Sequence, residues 1–212
     1  MKTVSNTRPQ DLVIEAIDGS MCDVVFTANV REIEVPVEEG ETITQYEFDL
    51  YRMHVPYTET LDGRIAANYD AWLAKAANDE MNAVKARKIA EIRDACNAAI
   101  IAGIEVTTAY GDEHFSLDPY DQQNLASIRA LLDEGVEEYP YHADGCQVVM
   151  YGAADLSAIT SAAMYAVKWH TTYCNMLRVW IGRETDEDVI LGIWYGVELP
   201  GDLAEVMAGL IS

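Results

Sequence analysis

An α+β fold is predicted, built from a small amino-terminal antiparallel β-sheet (residues 1–58), an Ala-rich helical connector (59–102) and a compact carboxy-terminal α+β domain (103–212). Three observations predict it. Apolar and polar residues alternate in the first fifty or so positions, the signature of strands wet on one face. An Ala-rich, proline-free stretch follows, with apolar residues three and four apart. Beyond Gly103, hairpin and helix signals take turns, as a mixed domain requires.

The amino-terminal strands are read from Asp23–Thr27 and Arg31–Val35, the second alternating charged with apolar side chains. Glu38-Glu39-Gly40-Glu41 supplies turn chemistry, and alternation resumes over Thr42–Leu50 toward Met53 and Val55. This predicts a β-hairpin within a small sheet. In the connector, Ile65, Tyr69, Trp72 and Ala76 share one helical face, and Ile89, Ile92, Cys96 and Ala99 form a second stripe. Register is lost near Asn78-Asp79-Glu80, so two helices or one helix with a stutter are expected. Ile65, Tyr69, Trp72, Ile89 and Ile92 are the candidate oligomer face; the alternative is a connector packed on its own domain.

In the third stretch, Ile104–Thr108 and Glu113–Leu117 flank a turn at Ala109–Asp112 and predict a second hairpin. Asp118 is an N-cap with Pro119 in the first helical position, and that helix runs through Leu132 to end before Gly135. Cys146–Tyr151 reads as a strand and Ala154–Trp180 as a long helix. Thr185 with Asp188 reads as the cap of a short helix from Asp186 to Ile193, and Leu203–Leu210 as a last helical turn or two.

Composition narrows the function. The chain has 14 basic and 36 acidic residues, a net charge of −22. Such a surface repels nucleic-acid phosphates and anionic lipid headgroups, so neither is an expected partner. No apolar run approaches the length of a membrane span, and the amino terminus lacks a signal-peptide core, so cytoplasmic synthesis is expected. The four cysteines are scattered without a CxxC pair, and reduced thiols are expected.

Local chemistry gives little. No GxSxG elbow, HExxH pair or phosphate-cradling Gly-rich loop is present. His170 and Cys174 are four apart and could face one metal, with Cys146, His142 or Asp144 to complete it; a core histidine beside a buried thiol explains them better. The acid clusters at 38–41, 133–138 and 184–188 lack the ligand alternation of a calcium loop and read as solvated faces. No metal and no cofactor are therefore expected. Twelve Tyr and four Trp against three Phe favour interface chemistry, because Tyr and Trp join apolar area to a polar handle. Tyr139, Tyr141, Tyr165, Trp169 and Tyr173 are the candidate partner contacts, with Tyr139–His142 expected in a loop.

The order of elements from roughly residue 85 to 195 resembles a domain of unknown function common in phage and prophage tail-region proteins. The resemblance rests on Gly103 through Leu117, on Asp121-Gln122-Gln123-Asn124-Leu125, on Gln147–Tyr151, on Asp155–Trp180 with His170, and on Glu184–Ile193. Gln45–Tyr51 through Ala71-Trp72-Leu73 also looks like the upstream half of such proteins. Tyr165, Trp169, Tyr173 and Cys174 depart from it, standing where such domains often carry smaller residues. The resemblance implies a virion structural role in a tail fibre or baseplate, homo-oligomeric among other phage tail proteins, with no catalytic residues. A tail-fibre assembly chaperone and a glycan-binding module are the alternatives.

Overall fold

The computed structural model describes residues 2–37 and 41–212. It is mixed α and β: an amino-terminal antiparallel sheet, then helices, then a carboxy-terminal α+β region. The elements are β1 (Lys2–Ser5), β2 (Leu12–Ala16), β3 (Met21–Pro36), β4 (Thr42–Pro56), α1 (Leu61–Ala67), α2 (Tyr69–Ile101), β5 (Ile104–Thr108), β6 (Gly111–Phe115), α3 (Pro119–Asp133), β7 (Glu138–Tyr141), β8 (Val149–Gly152), α4 (Ala153–Arg183), α5 (Glu187–Gly192) and α6 (Gly201–Ile211). The chain divides into two compact units, Met1–Val84 and Lys85–Ser212. The division falls inside α2, within the stretch expected as a separate connector.

In the first unit the sheet order is β1-β4-β3-β2, with antiparallel neighbours. The two strand segments seen in the sequence join into one strand, β3, interrupted by a bulge between Ala28 and Arg31. Asn29 takes φ 53°, a left-handed conformation that Asn tolerates better than most residues, and its amide donates to Asp49 Oδ2 at 2.7 Å. Before the bulge, Cys22, Val24 and Phe26 are fully buried and pair in register with Val55, Met53 and Tyr51. After it, β3 is largely exposed and decorated by cross-strand polar pairs such as Thr44 to Glu34 at 3.0 Å. The turn expected at 38–41 lies, for Glu38, Glu39 and Gly40, outside the described residues.

The apolar face of this sheet is covered by Leu61 and Ile65 of α1 and by Tyr69, Trp72, Leu73 and Ala76 of α2. Phe26 and Tyr69 meet edge to face at 5.7 Å, and the Tyr69 hydroxyl donates to the Asp11 carbonyl at 2.9 Å. Through Asn78-Asp79-Glu80 the helix α2 runs unbroken, as the one-helix alternative has it, and the helix break comes earlier, at Asn68. The break at Asn68 lets Leu61 and Ile65 of α1 and Tyr69, Trp72 and Ala76 of α2 pack on the same sheet face.

These contacts correct the expected oligomer face. Ile65 is wholly buried in the first unit's own core, where Tyr69 and Trp72 also pack. Ile92 is wholly buried as well, and Ile89 is half-buried. Ile65 and Ile92 therefore offer nothing to a second copy, and Tyr69, Trp72 and Ile89 keep only part of their surface. The buried line in the later part of α2 runs Lys88, Ile92, Cys96, Ile100, four apart, with Lys88 paired to Glu91 at 2.9 Å.

In the second unit, β5 and β6 form the expected hairpin and α3 the expected capped helix. Asp118 accepts from Tyr120 N (2.7 Å) and Asp121 N (2.9 Å), and Asp121 accepts in return from Asp118 N (3.3 Å). Tyr139–His142 is not a loop. Glu138–Tyr141 forms β7, antiparallel to β8, with Pro140 opposite Met150. In a two-stranded ribbon each strand is an edge, so the missing N–H of Pro140 is tolerated. The short helix α5 is capped by Asp186, whose carboxylate accepts from Asp188 N at 2.9 Å; Thr185 is not its cap.

Candidate docking surface

Aromatic residues tie the second unit together. Tyr151 is fully buried between the hairpins, edge to face with Tyr110 (5.3 Å) and Phe115 (6.1 Å), and its hydroxyl donates to Glu113 Oε1 at 2.9 Å. Burial and that carboxylate raise its phenol well above the ordinary value. Tyr141 stacks on Phe115 and is buried, which pushes its hydroxyl up to about 12. Of the candidate partner contacts, Tyr141 and Tyr173 are thus core residues. Tyr139 and Trp169 are half-buried, and only Tyr165, at 55% exposure, stands free. Tyr139 and Tyr141 line a cavity of about 270 Å³ with Asn124, Ser127 and His142.

A hydrogen-bonded group beside the hairpin contains Ser, His and Asp, and its geometry decides what it can do. His114 Nδ1 lies 2.9 Å from Asp144 Oδ2 and its Nε2 lies 2.7 Å from the Ala102 carbonyl. Both partners are acceptors, an arrangement that favours the ring with both nitrogens donating and holds the imidazole above its ordinary value, first by Asp144 and then by Ala102. Ser116 Oγ sits between Asp121 Oδ2 (3.0 Å) and Asp144 Oδ1 (3.1 Å). Burial opposes ionisation of Asp144, but the Ser116 and His114 hydrogen bonds outweigh it and lower the carboxyl. In this arrangement His114 has no lone pair to offer and is not bonded to Ser116. A nucleophile–base pair needs both.

On α4, His170 and Cys174 face the interior side by side, as their spacing predicts, but each has another partner. His170 Nδ1 is 2.6 Å from the Tyr195 hydroxyl, and burial pushes the imidazole below its ordinary value. Cys174 lies beside Cys96 of α2, which donates to the His170 carbonyl at 3.4 Å. Burial, with Cys174 next, pushes the Cys96 thiol up to about 11. His142 and Asp144, the further ligands a metal would need, do not converge on the pair: Asp144 is engaged by His114 and Ser116. Among the described residues no three His, Cys, Asp or Glu side chains gather as a metal set would.

The open apolar surface lies at the carboxy-terminal end. Trp169 stacks on Tyr173 (5.2 Å), and the Tyr173 hydroxyl donates to the Val197 carbonyl while accepting from Gly196 N at 3.1 Å. These bonds pin the 196–199 segment against α4. Between α4 and α6 a groove of about 380 Å³ remains, floored by Trp169, Tyr173 and Met207 and walled by Leu199, Ala208 and Ile211. Trp194 folds over Gly196, where an added Cβ would lie 2.6 Å from its ring, yet 57% of it stays exposed.

Helix α6 buries only Leu203 and Met207. At 100° per residue, Ala204, Ala208 and Ile211 lie to one side of that pair and Val206 and Leu210 to the other, so roughly 200° of its circumference is apolar. Val206 and Leu210 are about half exposed, as is Leu191 of α5. The surrounding segment, Glu184–Ser212, carries seven carboxylates and no Lys, Arg or His. Asp202 pairs with Arg183 of α4, which holds the Asp202 carboxyl below the usual range. Sequence reading missed Trp194, Leu191, Val206 and Leu210; the legible signal was a run of acids and large apolar residues without a basic one.

No helix among the described residues is long and apolar enough to cross a membrane. No curated protein and no solved structure matches the chain. The family described as a domain of unknown function (DUF4376) matches residues 83–191, just over half of the chain. The matched residues run from the middle of α2 through α5, taking in both hairpins, α3 and α4. The protein therefore belongs to the DUF4376 family.

Proposed function

We propose that the protein is a structural component of a phage or prophage tail, associated with the tail fibre or baseplate, that works by docking onto neighbouring tail proteins and catalyses no reaction. The observation that carries the docking part is the exposed apolar surface of α6 and the α4–α6 groove on a chain of net charge −22. Exposed Trp194, Leu191, Val206 and Leu210 cost free energy in water and gain it on burial in an interface. The tail setting rests on the resemblance of residues 85–195 to tail-region domains. In this reading the protein is made in the host cytoplasm, assembles as a homo-oligomer and resides in the virion.

A second reading, a tail-fibre assembly chaperone, is favoured by the same apolar surface on a chain of net charge −22, which suits transient shielding of a sticky basic fibre end. Mass spectrometry of purified particles and of infected lysate separates the two. Stoichiometric recovery in mature particles supports the structural role, and recovery in lysate alone supports the chaperone. Recovery in neither overturns the tail reading. Light scattering tests the oligomer: a 23.5 kDa species at high concentration would refute it.

A further inference from the structure

We infer that the α4–α6 groove receives a basic amphipathic helix from a partner protein, an apolar anchor seated on Trp169, Tyr173 and Met207 with Lys or Arg side chains meeting Glu198 and the negative field of the chain. This deepens the docking reading above and rests on it. Three observations choose the occupant. The groove's about 380 Å³ is lined by aromatic and aliphatic groups, so what enters it is apolar. Its single charged lining residue is Glu198, Asp202 of α6 is already paired with Arg183, and the chain as a whole carries a net charge of −22, so charge complementarity makes the occupant positive. A second copy docking here through its own 184–212 segment would bring the same seven carboxylates and be repelled, and an anionic lipid surface would be repelled likewise. The shape agrees: α4 and α6 offer two helical walls, the geometry in which an amphipathic helix lays its apolar face.

Ala208 provides the test, because it lines the groove, is exposed, and contributes nothing to the buried core. The probes are three synthetic peptides of about five turns: an amphipathic Leu/Lys helix, its Lys→Glu counterpart, and a Leu/Lys scramble with no apolar face. Calorimetric titration of the intact chain is expected to show saturable binding of the first peptide only. Ala208→Glu is expected to weaken it by about tenfold or more. Ala158→Glu, an exposed position on α4 remote from the groove lining, adds the same charge and should leave affinity within about twofold. Circular dichroism and the melting midpoint establish that both variants fold.

Equal affinity of the two variants, or equal binding of the scramble, would reduce the effect to bulk charge attraction and overturn the groove. Absence of binding by the Lys peptide, or tighter binding of the Glu peptide, would overturn the basic partner. A dimer of the free chain that Ala208→Glu dissolves would hand the groove to a second copy instead. The titration does not depend on where the protein resides, so a negative result leaves the particle assay standing, and a negative particle assay leaves the groove.

Discussion

At the scale of single residues, His114 of the second unit is clamped between Asp144 and the Ala102 carbonyl. Its pKa is raised in the folded state, so its contribution to stability is fully present below the unfolded value and is lost as pH rises through the folded one. Asp144 behaves oppositely: lowered in the fold, its contribution is present above the unfolded carboxyl value and is lost as pH falls through the folded one. The pair therefore works best in the weakly acidic window between ordinary carboxyl and ordinary imidazole titration. We expect His114→Gln to reduce the urea midpoint most in that window, with the gap to the parent protein narrowing at alkaline pH. A gap that widens with pH would mean the ring is neutral and its two acceptors poorly satisfied. The cysteines give a second prediction at this scale. Cys22, Cys96 and Cys174 are buried and Cys146 is exposed, and the Cys96 thiol is held at about 11. Under native conditions at mildly alkaline pH, iodoacetamide should label Cys146 first and Cys96 only on unfolding, read by peptide mass spectrometry. Labelling of Cys96 as fast as Cys146 would contradict its placement.

Elements are fixed by punctuation, and punctuation was the legible part of the sequence. Gly103 ends α2 with φ +83°, and a Cβ there would stand 2.2 Å from the Phe115 carbonyl oxygen. Gly135, which ends α3, has φ +91° but nothing within 4 Å. Both positions strain a side chain, but only Gly103 adds a collision with backbone that cannot move without opening the β5–β6 hairpin. We expect Gly103→Ala to cost more than about 1 kcal/mol and more than Gly135→Ala, measured as urea midpoints; equal costs would sink the close-approach argument. Asp118-Pro119 and the Ile104–Phe115 alternation could be read directly because local chemistry sets them. The bulge at Asn29 hid the unity of β3, since a one-residue insertion inverts the alternation that a strand is read by. β7 was hidden by Pro140, an ordinary loop marker that a two-stranded ribbon accommodates. The helix break at Asn68 was hidden too, because Ile65, Tyr69 and Trp72 keep helical spacing across it while packing on the sheet. The groove was least legible of all: α6 was visible as a helix, but which of its apolar residues stay uncovered depends on the neighbours that α4 and the 196–199 segment bring.

For the whole molecule, net charge governs behaviour that no single contact reveals. With 36 acidic and 14 basic residues, each basic group can neutralise at most one carboxylate, leaving a net −22 to repel itself in the folded state. The ion pairs that form are largely exposed, among them Arg93–Asp94 and Lys75–Asp79, and such pairs contribute about 0–1 kcal/mol each. Salt screens the repulsion and the pairing alike. Between 0.01 M and 0.15 M salt the Debye length falls from about 30 Å to about 8 Å, which suppresses repulsion spread across the surface more than attraction within a contact pair. Sodium chloride should therefore stabilise the chain over this range, raising the melting midpoint by roughly 2–4 °C for each about 1 kcal/mol of repulsion removed. A midpoint that falls with salt would show that the exposed pairs outweigh the net charge. The same screening weakens attraction between the groove of this negative chain and a basic helix. Salt thus separates the two roles of the carboxylates: fold stability climbs while affinity for the Lys peptide drops, and a ligand held by apolar contact alone would show only the first change.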